Sequence, residues 1–168
     1  MEHPKIDRRG ALKAAGILGA GAVAALVPTA AWASEGDDGA TGVAGGWEVT
    51  VTFPGGQSKV LILLTAGGAA LRSGQNDLLS TSLASPSYGS WASQGKREIG
   101  ITFKNFRYSS GGAALSGTSK IRVRATLNKA EDEFTGPFIT QLLDLTGAVV
   151  KTTTGTVDGR RIQVEPLD

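Results

Sequence analysis

Cysteine is absent from the 168-residue chain, which excludes disulfides, thiolate nucleophiles and any cofactor attached through cysteine. Histidine and methionine each occur once, as His3 and Met1, both at the extreme N-terminus. Beyond them no imidazole remains to act as general base near neutral pH or as a metal ligand. Zinc sites built on Cys or His, and haem held by His or Met, are excluded on the same grounds, so the sequence predicts no metal and no cofactor. No Gly-x-Ser-x-Gly element follows the N-terminal segment, and Gly95-Lys96 is followed by Arg97 rather than by the Ser or Thr of a phosphate loop. This inventory leans against an enzyme. A surplus of one charge is missing too. Of the 17 basic residues, Lys5, Arg8, Arg9 and Lys13 lie in the first 33 positions, as do Glu2 and Asp7 of the 15 acidic ones. The rest of the chain carries 13 of each sign, a total that gives no support to a basic surface for either a nucleic acid or an anionic membrane.

What the N-terminus does contain is ordered. Paired Arg8 and Arg9 are followed by Leu12 and Lys13, then by a weakly apolar run from Ala14 to Val27 that Pro28 ends. Ala31-Trp32-Ala33 supplies a small-x-small pattern before Ser34. This arrangement resembles a twin-arginine signal peptide, with Asp7 in the hydroxyl-or-acidic place and Ala11 where a bulkier residue is usual. The resemblance implies residues 1–33 as a removable signal helix, Arg8, Arg9 and Lys13 as the export signal, and Ala31, Ala33 and Ser34 as the cleavage site. It also implies the twin-arginine machinery and signal peptidase as partners, and a secreted, periplasmic or cell-envelope destination. The run is too short and too weak for a permanent membrane span.

After Ser34 a polar, glycine-rich stretch to Gly45 reads as a flexible linker (34–45), and residues 46–168 as one domain. Period-two alternation dominates there. Trp47, Val49, Val51 and Phe53 share one face, with Glu48, Thr50 and Thr52 on the other. Ile121, Val123, Ala125 and Leu127 alternate with Lys120, Arg122, Arg124 and Thr126, the clearest strand of the chain. Val60 to Leu64 reads as a strand buried on both faces. The parity change after Phe103, to Phe106 and Tyr108, predicts a bulge near Asn105. Gly136-Pro137 predicts a bend or an edge. Asp158-Gly159 predicts a turn between two final strands. Residues 73–88 read as a long loop, with or without a short helix. Seven to nine strands joined by short turns make an all-β fold, a small antiparallel up-and-down barrel, with a sandwich as the other closure.

Gly46-Trp47 at the start of the first strand, in a barrel of this size, resembles the lipocalin or calycin superfamily. That resemblance implies a tryptophan plugging one end of the barrel and an arginine from the last strand across its ring, Arg160 or Arg161. The C-terminal lipocalin helix is not visible, which points to a shortened lipocalin-like barrel. The allene oxide cyclase and dirigent barrel is an alternative of equal size, whose members shape a reactive substrate without histidine or metal.

Candidate ligand-binding residues, at the interior or mouth, are Trp47, Tyr88, Trp91, Phe103, Phe106 and Tyr108. Packing into a filled core is the competing reading of each. Arg122 and Arg124 read either as a solvated outer stripe or, with the face inverted, as carboxylate ligands inside a polar cavity, where Glu48 could pair with them. Large side chains are few among many Gly, Ala, Ser and Thr, which leaves a hollow interior or a tightly twisted small core. The expected function is binding of a small apolar or amphipathic ligand by an exported barrel. The alternatives are a barrel cyclase or isomerase and an exported structural domain with a filled core. A cavity under ~300 Å³ favours the last.

Overall fold

The computed structural model describes residues 41–75, 77, 83–110, 112 and 114–167; the export and cleavage residues proposed for positions 8 to 34 lie outside them. Eight strands follow in order: β1 (Gly45–Phe53), β2 (Gly56–Leu64), β3 (Ala69–Gly74), β4 (Ser87–Ser93), β5 (Glu98–Tyr108), β6 (Leu115–Leu127), β7 (Glu133–Leu143) and β8 (Val149–Arg161). Each pairs antiparallel with the next, and β8 returns to β1, so the sheet closes into an up-and-down barrel. Closure leaves no strand with a free row of backbone donors and acceptors.

Alternation fixes the inside. Trp47 and Val49 on β1, Ile62 and Leu64 on β2, Ile99, Ile101 and Phe103 on β5, and Val123, Ala125 and Leu127 on β6 are buried in one cluster. Their registered partners share the face, as Trp47 with Ile62 and Phe103 with Ile121. On β7 and β8 the fit is between unequal partners. Phe134 stands opposite Gly159, and Phe138 opposite Gly155. A Cβ on Gly159 would clash with the Phe134 ring, and one on Gly155 would clash with the Thr52 carbonyl and lie 2.7 Å from a Phe138 ring carbon. An eight-stranded barrel has room for little more than its own side chains, so these glycines are the space the two rings occupy.

Several local expectations are corrected by this register. Val60–Leu64 is buried on one face only, because Leu61 and Leu63 point outward. β5 keeps its parity through Asn105, which is buried, and Phe106, which is exposed; the register shift falls at Arg107/Tyr108. Asp158-Gly159 lies inside β8, held on both sides by β1 and β7, and makes no turn. Gly136-Pro137 is not at an edge: both residues pair with β8, while the ladder to β6 is interrupted there, between Val123–Phe138 and Thr126–Thr135. Thr41–Val43, at the end of the expected linker, forms a 3₁₀ turn whose Val43 is fully buried.

Gly159→Ala is expected to lower stability by about 1–3 kcal/mol, the usual cost of overpacking. Urea denaturation checks it: the midpoint falls with an unchanged slope.

Candidate functional site

The two ends of the barrel differ chemically. At one end β1 begins and β8 finishes. Trp47 is fully buried there, and its indole N–H donates to the Val43 carbonyl at 3.0 Å. The Arg161 guanidinium carbon lies 4.4 Å from the centroid of the Trp47 ring, and the Phe134 ring lies 4.9 Å away, tilted by 52°. Arg161 also donates to the carbonyls of Ala44 at 2.9 Å, Glu131 at 2.8 Å and Gly42. Gly45 holds φ +141°, and a Cβ there would lie 2.8 Å from an Arg161 nitrogen, so glycine suits this position twice over. This end is a plug. Arg160 plays no part in it: its side chain is exposed and pairs with Glu133 at 3.3 Å.

Toward the other end the interior turns polar. Arg72 on β3 faces inward, opposite Ile62 on one side and Ser87 on the other. Its Nη1 donates to the Ser87 hydroxyl at 3.2 Å and to the Asp77 carboxylate at 3.3 Å; Asp77 also accepts from the Gly74 N–H at 2.6 Å. Both side chains of the pair are 15% exposed. Burial pushes the Arg72 guanidinium down from its ordinary pKa, and Asp77 opposes that shift. The group stays charged, because an arginine starts so far above neutrality. Asn105 on β5 stands one step past the Tyr88–Lys104 pair, hence beside Ser87, and faces Ser119 on β6. Asn105 Nδ2 donates to the Ser85 carbonyl at 3.4 Å, while its Oδ1 is buried without a partner. Arg72, Ser87, Asn105 and Ser119 thus form one inward polar row across four strands.

Below that row lies a cavity of about 50 Å³, lined by Val49, Val51, Val60, Ile62, Phe103 and Phe138 among others, with Arg72 and Thr140 as its polar groups. A larger concavity of about 1010 Å³ lies on the outer wall along β1, β2, β7, β8 and the C-terminal tail. Its charges are already matched, Lys59 with Glu48 at 2.7 Å and Arg160 with Glu133, and Thr135 donates to Asp158 at 2.9 Å. The Lys59 hydrogen bond holds the Glu48 carboxyl below its ordinary value. The interior row, with its buried guanidinium and its unpartnered acceptor, is the better candidate.

Of the sequence candidates, Trp47 and Phe103 fill the core. Trp91 is at the plugged end, where its indole N–H donates to the Thr65 carbonyl at 2.8 Å. Tyr108 is half-buried at the end of β5, and its backbone N–H donates to the Leu83 carbonyl. Tyr88 and Phe106 stand on the outer wall, and so do Arg122 and Arg124, because Ile121, Val123 and Ala125 hold the inner face of β6. Arg124 pairs there with Glu98 at 2.7 Å, which raises its pKa. Sequence reasoning missed Arg72, Ser87, Asn105 and Ser119. The available signal was parity, since Arg72 shares a face with Ala70. Comparison with known proteins finds no matching family model, no matching curated protein and no matching solved structure.

Arg161→Lys keeps the charge near Trp47 but loses the planar fork that reaches three carbonyls. Its stability is expected to fall by about 2–3 kcal/mol, since hydrogen bonds from a charged donor contribute about 1.5–3 kcal/mol each and are not additive. Arg160→Lys, on the exposed pair, is expected to change it by under about 0.5 kcal/mol. Parallel urea titrations of the two variants check the contrast.

Proposed function

We propose that this protein is an exported, cofactor-free β-barrel that grips one end of a small amphipathic anion inside the half opposite the Trp47 plug. The observation that carries this reading is the Arg72 guanidinium, largely buried at the edge of a mostly apolar cavity and in the same inward row as an acceptor, Asn105 Oδ1, that has no hydrogen-bond partner. Burying a guanidinium costs several kcal/mol, and replacing a buried ion pair by packed apolar groups is often neutral or stabilising. A barrel that needed only a filled core would be served as well by an aliphatic residue at position 72. A ligand carboxylate could take the Asp77 place on the fork, with its apolar end against Val49, Val60 and Phe103. The Trp47–Arg161 contact supports a lipocalin-like reading of the scaffold.

The filled-core reading is favoured by one observation, the cavity volume. About 50 Å³ accommodates a few heavy atoms, not a whole ligand. Two experiments separate the readings and test export. Straight-chain carboxylates of increasing length, titrated beside the matching alcohols in a calorimeter, are expected to bind at least about tenfold more tightly than the alcohols, as a charge-assisted hydrogen bond implies. Arg72→Gln is expected to erase that margin. No saturable binding at any chain length supports the filled core. Separately, residues 1–40 fused to a folded reporter are expected to export it, and Arg8→Lys with Arg9→Lys to stop that export.

A further inference from the structure

One wall of the barrel is built inside out. On three consecutive strands an inward polar residue is chain neighbour to an outward apolar one: Arg72 beside Leu71 on β3, Ser87 beside Tyr88 on β4, Asn105 beside Phe106 on β5. The outward members gather. Leu63, Leu71, Tyr88, Lys104 and Lys120 are successive cross-strand partners from β2 to β6, so they form one continuous outer row. Leu61 and Phe106 stand two positions along from Leu63 and Lys104, in the adjoining row. Leu61 is 55% exposed, Tyr88 64% and Phe106 54%.

The charge beside this patch is also one-sided, although the domain is neutral as a whole. Between Ser87 and Leu127 the chain holds seven basic residues and a single acidic one, Glu98, and Glu98 is spent on Arg124. Among the described residues Lys104, Lys120 and Arg122 have no carboxylate partner; Arg122 reaches only Gln141, at 3.5 Å.

We infer that the outer wall of β2 to β6 docks on an anionic lipid bilayer. Charge complementarity calls for an anionic partner, and the apolar half decides which. Three of its five residues are leucines, which have no ring face to stack on a base and gain most from entry into acyl chains. Tyr88 stands at the join between leucines and lysines, where a side chain with an apolar body and a polar tip suits the headgroup level. The surface lies outside the barrel and does not depend on the interior ligand proposed above.

The absence of cysteine allows a direct test on the full chain. A polarity-sensitive thiol fluorophore is placed at Ser73→Cys, on the patch opposite Leu61, or at Thr154→Cys, outward on β8. Vesicles of phosphatidylcholine alone are compared with vesicles of equal parts phosphatidylcholine and phosphatidylglycerol. The Ser73→Cys emission is expected to shift to the blue on the anionic vesicles only, and the Thr154→Cys emission to stay. Co-sedimentation of the full chain is expected to weaken roughly twentyfold in Lys104→Gln with Lys120→Gln, since each basic group near such a surface contributes roughly fivefold. Leu63→Ser with Leu71→Ser is expected to weaken it by a similar factor, and Arg72→Gln to leave it unchanged. Thermal midpoints near wild type show that the surface variants are folded. Equal shifts at both labels, no shift at either, or variants that sediment like wild type overturn the proposal. A single-stranded oligonucleotide that shifts the Ser73→Cys label as vesicles do, and still binds the leucine variant, overturns it in favour of a polyanion surface.

Discussion

A barrel assembled from consecutive hairpins contains one pairing that chain proximity does nothing to help, that of the first strand with the last. Here Arg161 meets Ala44 across 117 positions of sequence. Closing a loop of that length costs roughly 4 kcal/mol on the logarithmic scaling, before any constant term. A cation–π contact between Arg161 and Trp47, worth roughly 0.5–2 kcal/mol, does not offset it alone. What does is the concentration of interactions at one residue. The same guanidinium covers the Trp47 ring and reaches the 3₁₀ turn before β1 and the β6–β7 connection. The Arg161 N–H donates to Asp132, and the next N–H, of Ile162, to Gly46. Two separate chain segments, 42–47 and 131–132, are bound to the end of β8 at once, and with them the ladder from Trp47–Arg161 to Thr52–Thr156 falls into register.

The closure also divides the interior. Trp47, Phe134 and Leu127 crowd the end that Arg161 seals, and the glycines of β8 make room for the rings of β7. Apolar volume is therefore used up in the plugged half. The opposite half is left to Arg72, Ser87, Asn105 and Ser119, where small and polar groups line the inner surface. The polar row is thus not an isolated oddity; it lies above a core that is already complete without it.

The parts of this arrangement legible in the sequence were those with long, regular alternation. β1 and β6 show two distinct faces plainly, although alternation alone left open which face of β6 points inward until the register placed Ile121, Val123 and Ala125 inside. The all-β class followed from strand number and turn spacing, which favoured a barrel but left a sandwich as the other closure. Three things were hidden, each for a physical reason. β3 has six residues, too few for Arg72 to reveal its face against Ala70. On β5 the inward residue is Asn105 and the outward one Phe106, so hydrophobicity signals a parity change that the backbone does not make. Asp158-Gly159 has turn chemistry, but the ring of Phe134 needs the glycine for space and the paired neighbours of β8 hold it extended. In each case a tertiary contact overrode the local preference.

The inverted wall bears on how much of this sequence folding alone explains. Slipping any one strand by a residue exchanges its two faces. On β3 such an exchange would put Leu71 inside and Arg72 outside, and on β5 it would bury Phe106 and release Asn105; judged by burial alone, both swaps are favourable. The observed register is held by the remaining strand positions, by Ala70 on β3 and by Ile99, Ile101 and Phe103 on β5. Three adjacent strands therefore each give up an apolar burial, and they do so at the same height. Independent defects would be scattered around the barrel, whereas these are aligned by the ladder. Natural sequences break the rule of apolar inside and polar outside chiefly where something other than folding is being specified. An inner polar row and outer apolar neighbours on the same three strands are the feature of this wall that folding alone does not account for.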